Sequence, residues 1–146
     1  MGYSIGQVAK KTGLTAHTLR YYQKEGLLPF LQKSSSGLRV FSDNDLGWLG
    51  LIECLKETGV PLKDIRQYID WYLEGDSTLS LRLDMFKNQK NRVEEQIRQF
   101  QKHLEKIEYK IALYEEAVKE GSLDKAVANP RLQALKNGLS QTDNAE

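Results

Sequence analysis

The chain has 146 residues, 40% of them hydrophobic, a formal net charge of +1 and one cysteine. That length holds one compact domain with an extension rather than two large domains, and the lone Cys54 cannot close an intramolecular disulfide. No run of about 18 apolar residues could span a bilayer and no basic-flanked apolar leader opens the chain, so the expected location is the cytoplasm.

The first predicted helix starts at a capping box, Ser4 with Gln7 three residues on, carries Ile5 and Val8 on its apolar side and stops at Gly13. A second opens at Thr15 as N-cap, runs through Leu19 and Tyr22 and ends where Gly26 can adopt a left-handed conformation. Ala9 and Gly13, four apart, suit the close approach and tight turn of a helix-turn-helix. Next come the turn-rich Ser34-Ser35-Ser36-Gly37 and the strand-like Leu38-Arg39-Val40-Phe41, a small hairpin or wing. A third helix begins at Ser42 with Asp45 and carries Leu46, Leu49, Ile52 and Leu55 to a stop at Gly59. Pro61 opens a fourth, with Leu62, Ile65, Ile69 and Leu73 inward and Gly75 closing it.

From Leu79 to Val118 the pattern changes. Leu79, Leu83, Phe86, Val93, Ile97, Phe100, Leu104, Ile107, Ile111, Tyr114 and Val118 recur at alternating steps of four and three, with Lys90 the one polar seam position. A heptad stripe this long predicts a coiled-coil helix of roughly 60 Å that needs a partner to bury its seam, and a symmetric homodimer is the default. Lys90 loosens packing at its layer and is a candidate for fixing register or strand orientation. The predicted fold class is mainly α. It comprises a winged helix-turn-helix DNA-binding domain with a short β-hairpin over 1–75, a long antiparallel coiled-coil dimerisation helix over 76–120, and a polar, loosely structured tail over 121–146.

The near-zero net charge conceals an asymmetry. Residues 1–41 hold Lys10, Lys11, Arg20, Lys24, Lys33 and Arg39 against Glu25, a balance of +5 that leaves −4 elsewhere. An electropositive head suits a polyanion such as DNA, because neutralised phosphates release counterions; a chance fluctuation in a small domain is the other reading.

Ser4-Ile5-Gly6-Gln7-Val8-Ala9, Thr18-Leu19-Arg20-Tyr21-Tyr22, Glu25-Gly26-Leu27-Leu28 and the wing's Gly37 and Arg39 together resemble the MerR family of bacterial transcription regulators. The likeness covers about the first 75 residues by motif and the coiled coil by architecture. Gln23 stands where an acidic residue is frequent, Phe30-Leu31-Gln32-Lys33 lacks an arginine often found before the wing turn, and Leu38 and Phe41 replace common tyrosines.

A recognition helix places its N-terminal side chains in the major groove and grips phosphate with its flanks. Thr15, His17 and Thr18 lie at that end of the second helix. The resemblance makes Arg20, Tyr21 and Tyr22 the principal contacts, with Arg39 reaching flanking backbone and Lys24 and Lys33 as further phosphate contacts or merely a solvated face. Tyr22, three residues from Leu19, reads equally well as core. The resemblance further implies a homodimer on promoter DNA that, with inducer, bends and untwists an overlong spacer for RNA polymerase; no enzyme activity, cofactor or metal is implied.

At 100° per residue Cys54 shares a small-residue face with Gly47 and Gly50, apart from Trp48, Leu49, Leu51, Ile52 and Leu55. It resembles the thiol of the branch that senses aldehydes, quinones or nitrosative stress, which would make a small electrophile the effector; a thiol that simply fills space is the alternative. A coiled-coil adaptor, or an architectural DNA-bending protein without effector response, is the rival function.

Overall fold

The computed structural model describes residues 2–139, without the side chains of Gln32 and Lys33. In chain order the elements are α1 (Ile5–Thr12), α2 (Ala16–Lys24), β1 (Gln32–Lys33), β2 (Arg39–Val40), α3 (Asp43–Glu57), α4 (Leu62–Glu74), a 3-10 turn (Asp76–Thr78), α5 (Leu79–Glu120), α6 (Leu123–Val127) and α7 (Pro130–Asn137). The backbone divides into two compact units, Met1–Phe86 and Lys87–Glu146, with α5 running through the division.

In the first unit the helix boundaries fall where the capping residues dictate. The Gln7 N–H donates to Ser4 Oγ at 3.2 Å and the Ser4 N–H donates to Gln7 Oε1 at 2.8 Å, closing a reciprocal capping box. Ser42 and Asp45 repeat the device on α3. Gly13 ends α1 at φ 75°, a left-handed conformation that turns the chain directly into α2. Val8, Leu19, Tyr22, Leu27, Phe41, Leu49, Ile52, Leu55, Ile65 and Ile69 interlock in one core, so α1, α2, the wing base, α3 and α4 share a single apolar interior.

The wing is narrower than the four-residue strand expected. Gln32 pairs with Val40 and Lys33 with Arg39 in antiparallel register, whereas Phe41 pairs instead with Tyr3. The Tyr3 N–H donates to the Phe41 carbonyl at 2.7 Å and the Phe41 N–H to the Tyr3 carbonyl at 2.8 Å, anchoring the wing base to the N-terminus. At the other end of the unit, buried Thr78 donates to the Gly75 carbonyl at 2.8 Å and accepts from Arg82 Nε at 3.1 Å, pinning the corner between α4 and α5.

In the second unit the tail departs from expectation. Residues 121–146 read as polar and loose, yet α6 and α7 form and pack on α5 through buried Ala126 and Leu132 against Leu113, with Tyr109, Ala112 and Ala117 around them. The physical reason lies in the caps. Ser122 accepts from the Lys125 N–H, and Asn129 accepts from the Arg131 N–H with Pro130 at the first helical position, where a missing N–H costs nothing. The end of the expected tail, residues 140–146, lies outside the described residues.

This placement leaves the heptad seam uncovered. At 100° per residue, Tyr109, Ala112, Leu113 and Ala117 lie roughly opposite Leu104, Ile107, Ile111, Tyr114 and Val118 on α5. Most seam side chains stay exposed, among them Ile97 at 61%, Phe100 at 72% and Val118 at 83%, while Val93 is half-buried.

Candidate nucleic-acid interface

Helix α2 is held by two faces with different work. Leu19 and Tyr22 are both 1% exposed and bury its inner face. His17, Arg20, Tyr21 and Lys24 are exposed along the outer face, with Tyr21 at 44%. At the N-terminal end, Thr15 Oγ1 accepts from the Thr18 N–H at 3.0 Å, and the Thr15 hydroxyl donates to Thr18 Oγ1 at 2.9 Å. The first turn carries no acidic side chain, so nothing cancels the positive end of the helix dipole there. The outer face of α2 is thus cationic and polar, and its N-terminal end favours an anion.

The structure corrects the assignment of Tyr22 as a DNA contact. Its hydroxyl donates to Glu53 Oε1 at 2.6 Å and accepts from Lys56 Nζ at 3.1 Å, with the Lys56 ammonium also 5.5 Å from the ring centroid. Burial and the hydrogen bond to Glu53 raise the phenol pKa above its ordinary value, and the bond to Tyr22 raises that of Lys56. Tyr22 therefore positions α2 on α3, and of the tyrosine pair Tyr21 alone faces outward.

The wing is tied to the same helix. Arg39, half-buried on β2, donates through Nε to Gln23 Oε1 on α2. This uses one of five guanidinium N–H donors, and the neutral amide leaves the arginine's charge uncancelled. The backbone of Lys33 lies opposite Arg39 in the hairpin, while its side chain is outside the described residues. Helix, turn and wing thus bring Thr15, His17, Thr18, Arg20, Tyr21, Lys24 and Arg39 onto elements that share one core.

Known proteins resemble this chain in both sequence and fold. Residues 3–70 match the family model for the MerR HTH family regulatory protein, and residues 46–109 match the model for MerR, DNA binding. An HTH-type transcriptional regulator of Haemophilus influenzae is 44% identical over 132 residues, covering 90% of this chain and 97% of the relative. The chain belongs to the MerR family. Among solved structures, the crystal structure of HiNmlR, a MerR family regulator lacking the sensor domain, bound to promoter DNA, matches with a TM-score of 0.81 and 43% identity over 86% of this chain and 99% of that one. A MerR family regulator from Bacillus thuringiensis matches at a TM-score of 0.71 and 49% identity, covering 77% and 98%. This MerR-family chain is accordingly a DNA-binding transcriptional regulator and not an enzyme.

Sequence reasoning missed Glu53 and Lys56, which bind the hydroxyl of Tyr22 from a helix 31 and 34 residues away. Gln23 was noted only as a departure from the MerR pattern, and that departure was the available signal. Cys54 is exposed, and a Cβ built on Gly47 or Gly50 meets nothing within 4 Å, so the small-residue face of α3 is open. Among the described residues no helix is long and apolar enough to cross a membrane, and no group of three His, Cys, Asp or Glu side chains could hold a metal.

Proposed function

We propose that the chain works as a homodimer joined along α5, with each α2 in the major groove of promoter DNA and each wing on the flanking backbone. The observation that carries this reading is the uncovered seam. An apolar stripe running from Leu79 to Val118 is left open while α6 and α7 pack on the other side of the same helix. Arg20 and Tyr21 read the groove or its edges, His17, Thr15 and Thr18 meet the DNA at the helix N-terminus, and Lys24, Lys33 and Arg39 hold phosphates.

Inducer-dependent distortion of the promoter, which lets RNA polymerase engage, completes the cycle. A smooth bend costs on the order of 1–6 kcal/mol, so an effector must prefer one of two dimer states by a comparable amount. Cys54 is the candidate receiver of an electrophilic signal, and its exposure on an open face of α3 supports that role.

The test is the mass and affinity of a seam variant. Wild-type chain runs at twice its 16.7 kDa mass and binds promoter DNA. Ile97→Glu with Phe100→Glu, at the centre of the stripe, runs at monomer mass and loses about a hundredfold in promoter affinity, because charge at two seam layers opposes the pairing. A wild-type monomer that binds promoter DNA as well as any dimer overturns the reading.

A further inference from the structure

We infer that Leu38, at the tip of the wing, enters the minor groove beside the half-site and discriminates there against G·C pairs. The inference rests on the proposed placement of the wing on DNA, and it gives sequence reading to an element assigned so far to phosphate contact alone.

Leu38 is 70% exposed, more than any other large apolar side chain of the first unit. Apart from Tyr21 on α2, the other exposed large apolar side chains of that unit lie on α4 or α5. A single exposed leucine on a loose loop would need no explanation. This one is held in place. The Gly37 N–H donates to the Ser34 carbonyl at 2.9 Å, and the Ser34 N–H donates to the Leu38 carbonyl at 2.7 Å, so the turn is closed on both sides. Gly37 takes φ 83°, a conformation that suits glycine and sets the direction in which the chain re-enters the strand. The hairpin thus spends two hydrogen bonds and a glycine on presenting an apolar side chain to solvent.

The surroundings of Leu38 suit DNA. No Asp or Glu occurs from Gly26 to Ser42, whereas Lys33 and Arg39 fall in that stretch. The turn is made of Ser34, Ser35, Ser36 and Gly37, small enough for a groove about 6 Å wide. Strand alternation puts Leu38 and Arg39 on opposite faces of the hairpin. The Arg39 face turns to α2, where Nε donates to Gln23 Oε1. On the other face Val40 packs against Gly2, where no Cβ would fit, and Leu38 lies beyond it in the open. A wing tip in the minor groove therefore lays the guanidinium toward one phosphate strand and turns the leucine to the base edges. A narrow, A·T-rich groove carries the more negative potential and draws in the same cationic wing.

The leucine then reads one chemical difference. The minor-groove edge of an A·T pair offers acceptors and the apolar C2–H of adenine, whereas a G·C pair carries the guanine 2-amino donor in that place. Leucine has no atom that can accept from the amino group, so covering it strips its water and returns no hydrogen bond. Against adenine C2–H the same methyl groups bury apolar surface. Leu38 is thus a specificity-determining residue for the pairs under the wing.

Hydroxyl-radical protection by the wild-type full-length chain first locates each wing on a duplex of the promoter upstream of its own gene. The pairs under the wing are then set to A·T, G·C or I·C, inosine being guanine without its 2-amino group. Wild type binds the A·T and I·C duplexes alike and the G·C duplex roughly tenfold more weakly. Leu38→Asn, whose amide oxygen can accept from guanine, binds all three within about twofold, and Leu38→Met keeps the wild-type preference. Position 38 is exposed, so neither variant disturbs the core. Equal wild-type affinity for the three duplexes, I·C bound as weakly as G·C, or an A·T preference retained in Leu38→Asn overturns the inference while leaving the wing on DNA. Protection confined to the major-groove half-site, with none beside it, overturns the placement of the wing and the inference with it.

Discussion

Tyr22 on α2 and Glu53 on α3 meet hydroxyl to carboxylate at 2.6 Å, and this bond seats the outer face of α2. Removing the hydroxyl with Tyr22→Phe leaves Glu53 without its donor and costs about 1 kcal/mol, while Tyr22→Ala empties a core position and costs about 3–5 kcal/mol. Urea denaturation measures both. Promoter affinity of Tyr22→Phe stays within about threefold of wild type, because the hydroxyl points into the protein; a loss as large as that of Arg20→Ala would return Tyr22 to the DNA face.

The same bond gives stability an alkaline limit. The Tyr22 pKa is raised in the folded state by burial and by Glu53, and that of Lys56 is raised by Tyr22. A raised folded pKa means that the contribution is fully present below the unfolded value, about 10 for both groups, and is lost as pH rises through the folded value. Unfolding free energy of the wild type therefore falls as pH rises above about 10. Tyr22→Phe reduces that slope without abolishing it, since Tyr3 and Tyr68 are raised too and contribute with the same sign. Equal slopes for wild type and variant would contradict the assignment.

Helices α6 and α7 depend on Leu132, which is fully buried. Leu132→Ala removes its packing against Leu113 and Ala126 at a cost of about 2–4 kcal/mol. Hydrogen exchange should accelerate in α6 and α7 and remain unchanged in α1 to α3. Uniform acceleration would show that the two units unfold together.

Cys54 is exposed in the folded chain, so a thiol reagent reacts with it without denaturant. Cys54→Ser retains promoter affinity within about twofold and abolishes any transcriptional response to an added aldehyde or quinone. A response that persists in Cys54→Ser would remove the thiol from signalling.

How much of this was legible in sequence follows the range of the interactions. Ser4 with Gln7, Ser42 with Asp45, Thr15, Gly13 and Gly26 act within a few residues of themselves, so their roles could be read directly. The heptad stripe was equally plain, because its period is a property of one helix. The tail over 121–146 departs from its polar, loose reading because the local helix starts at Ser122 and at Asn129 with Pro130 outweigh overall polarity. The Tyr22, Glu53 and Lys56 cluster and the bond from Arg39 to Gln23 join residues far apart in the chain, and no local pattern encodes them.

The most direct measurement is binding of the full chain to the promoter DNA upstream of its own gene across a salt series, with Arg20→Ala alongside. The account predicts nanomolar affinity for the wild type, falling steeply with salt. For Arg20→Ala it predicts a loss of about 1–3 kcal/mol, with a salt slope reduced by about one if that arginine holds a phosphate. Wild-type affinity for this promoter no greater than for random DNA, or an Arg20→Ala variant that binds it as tightly as wild type, would contradict it.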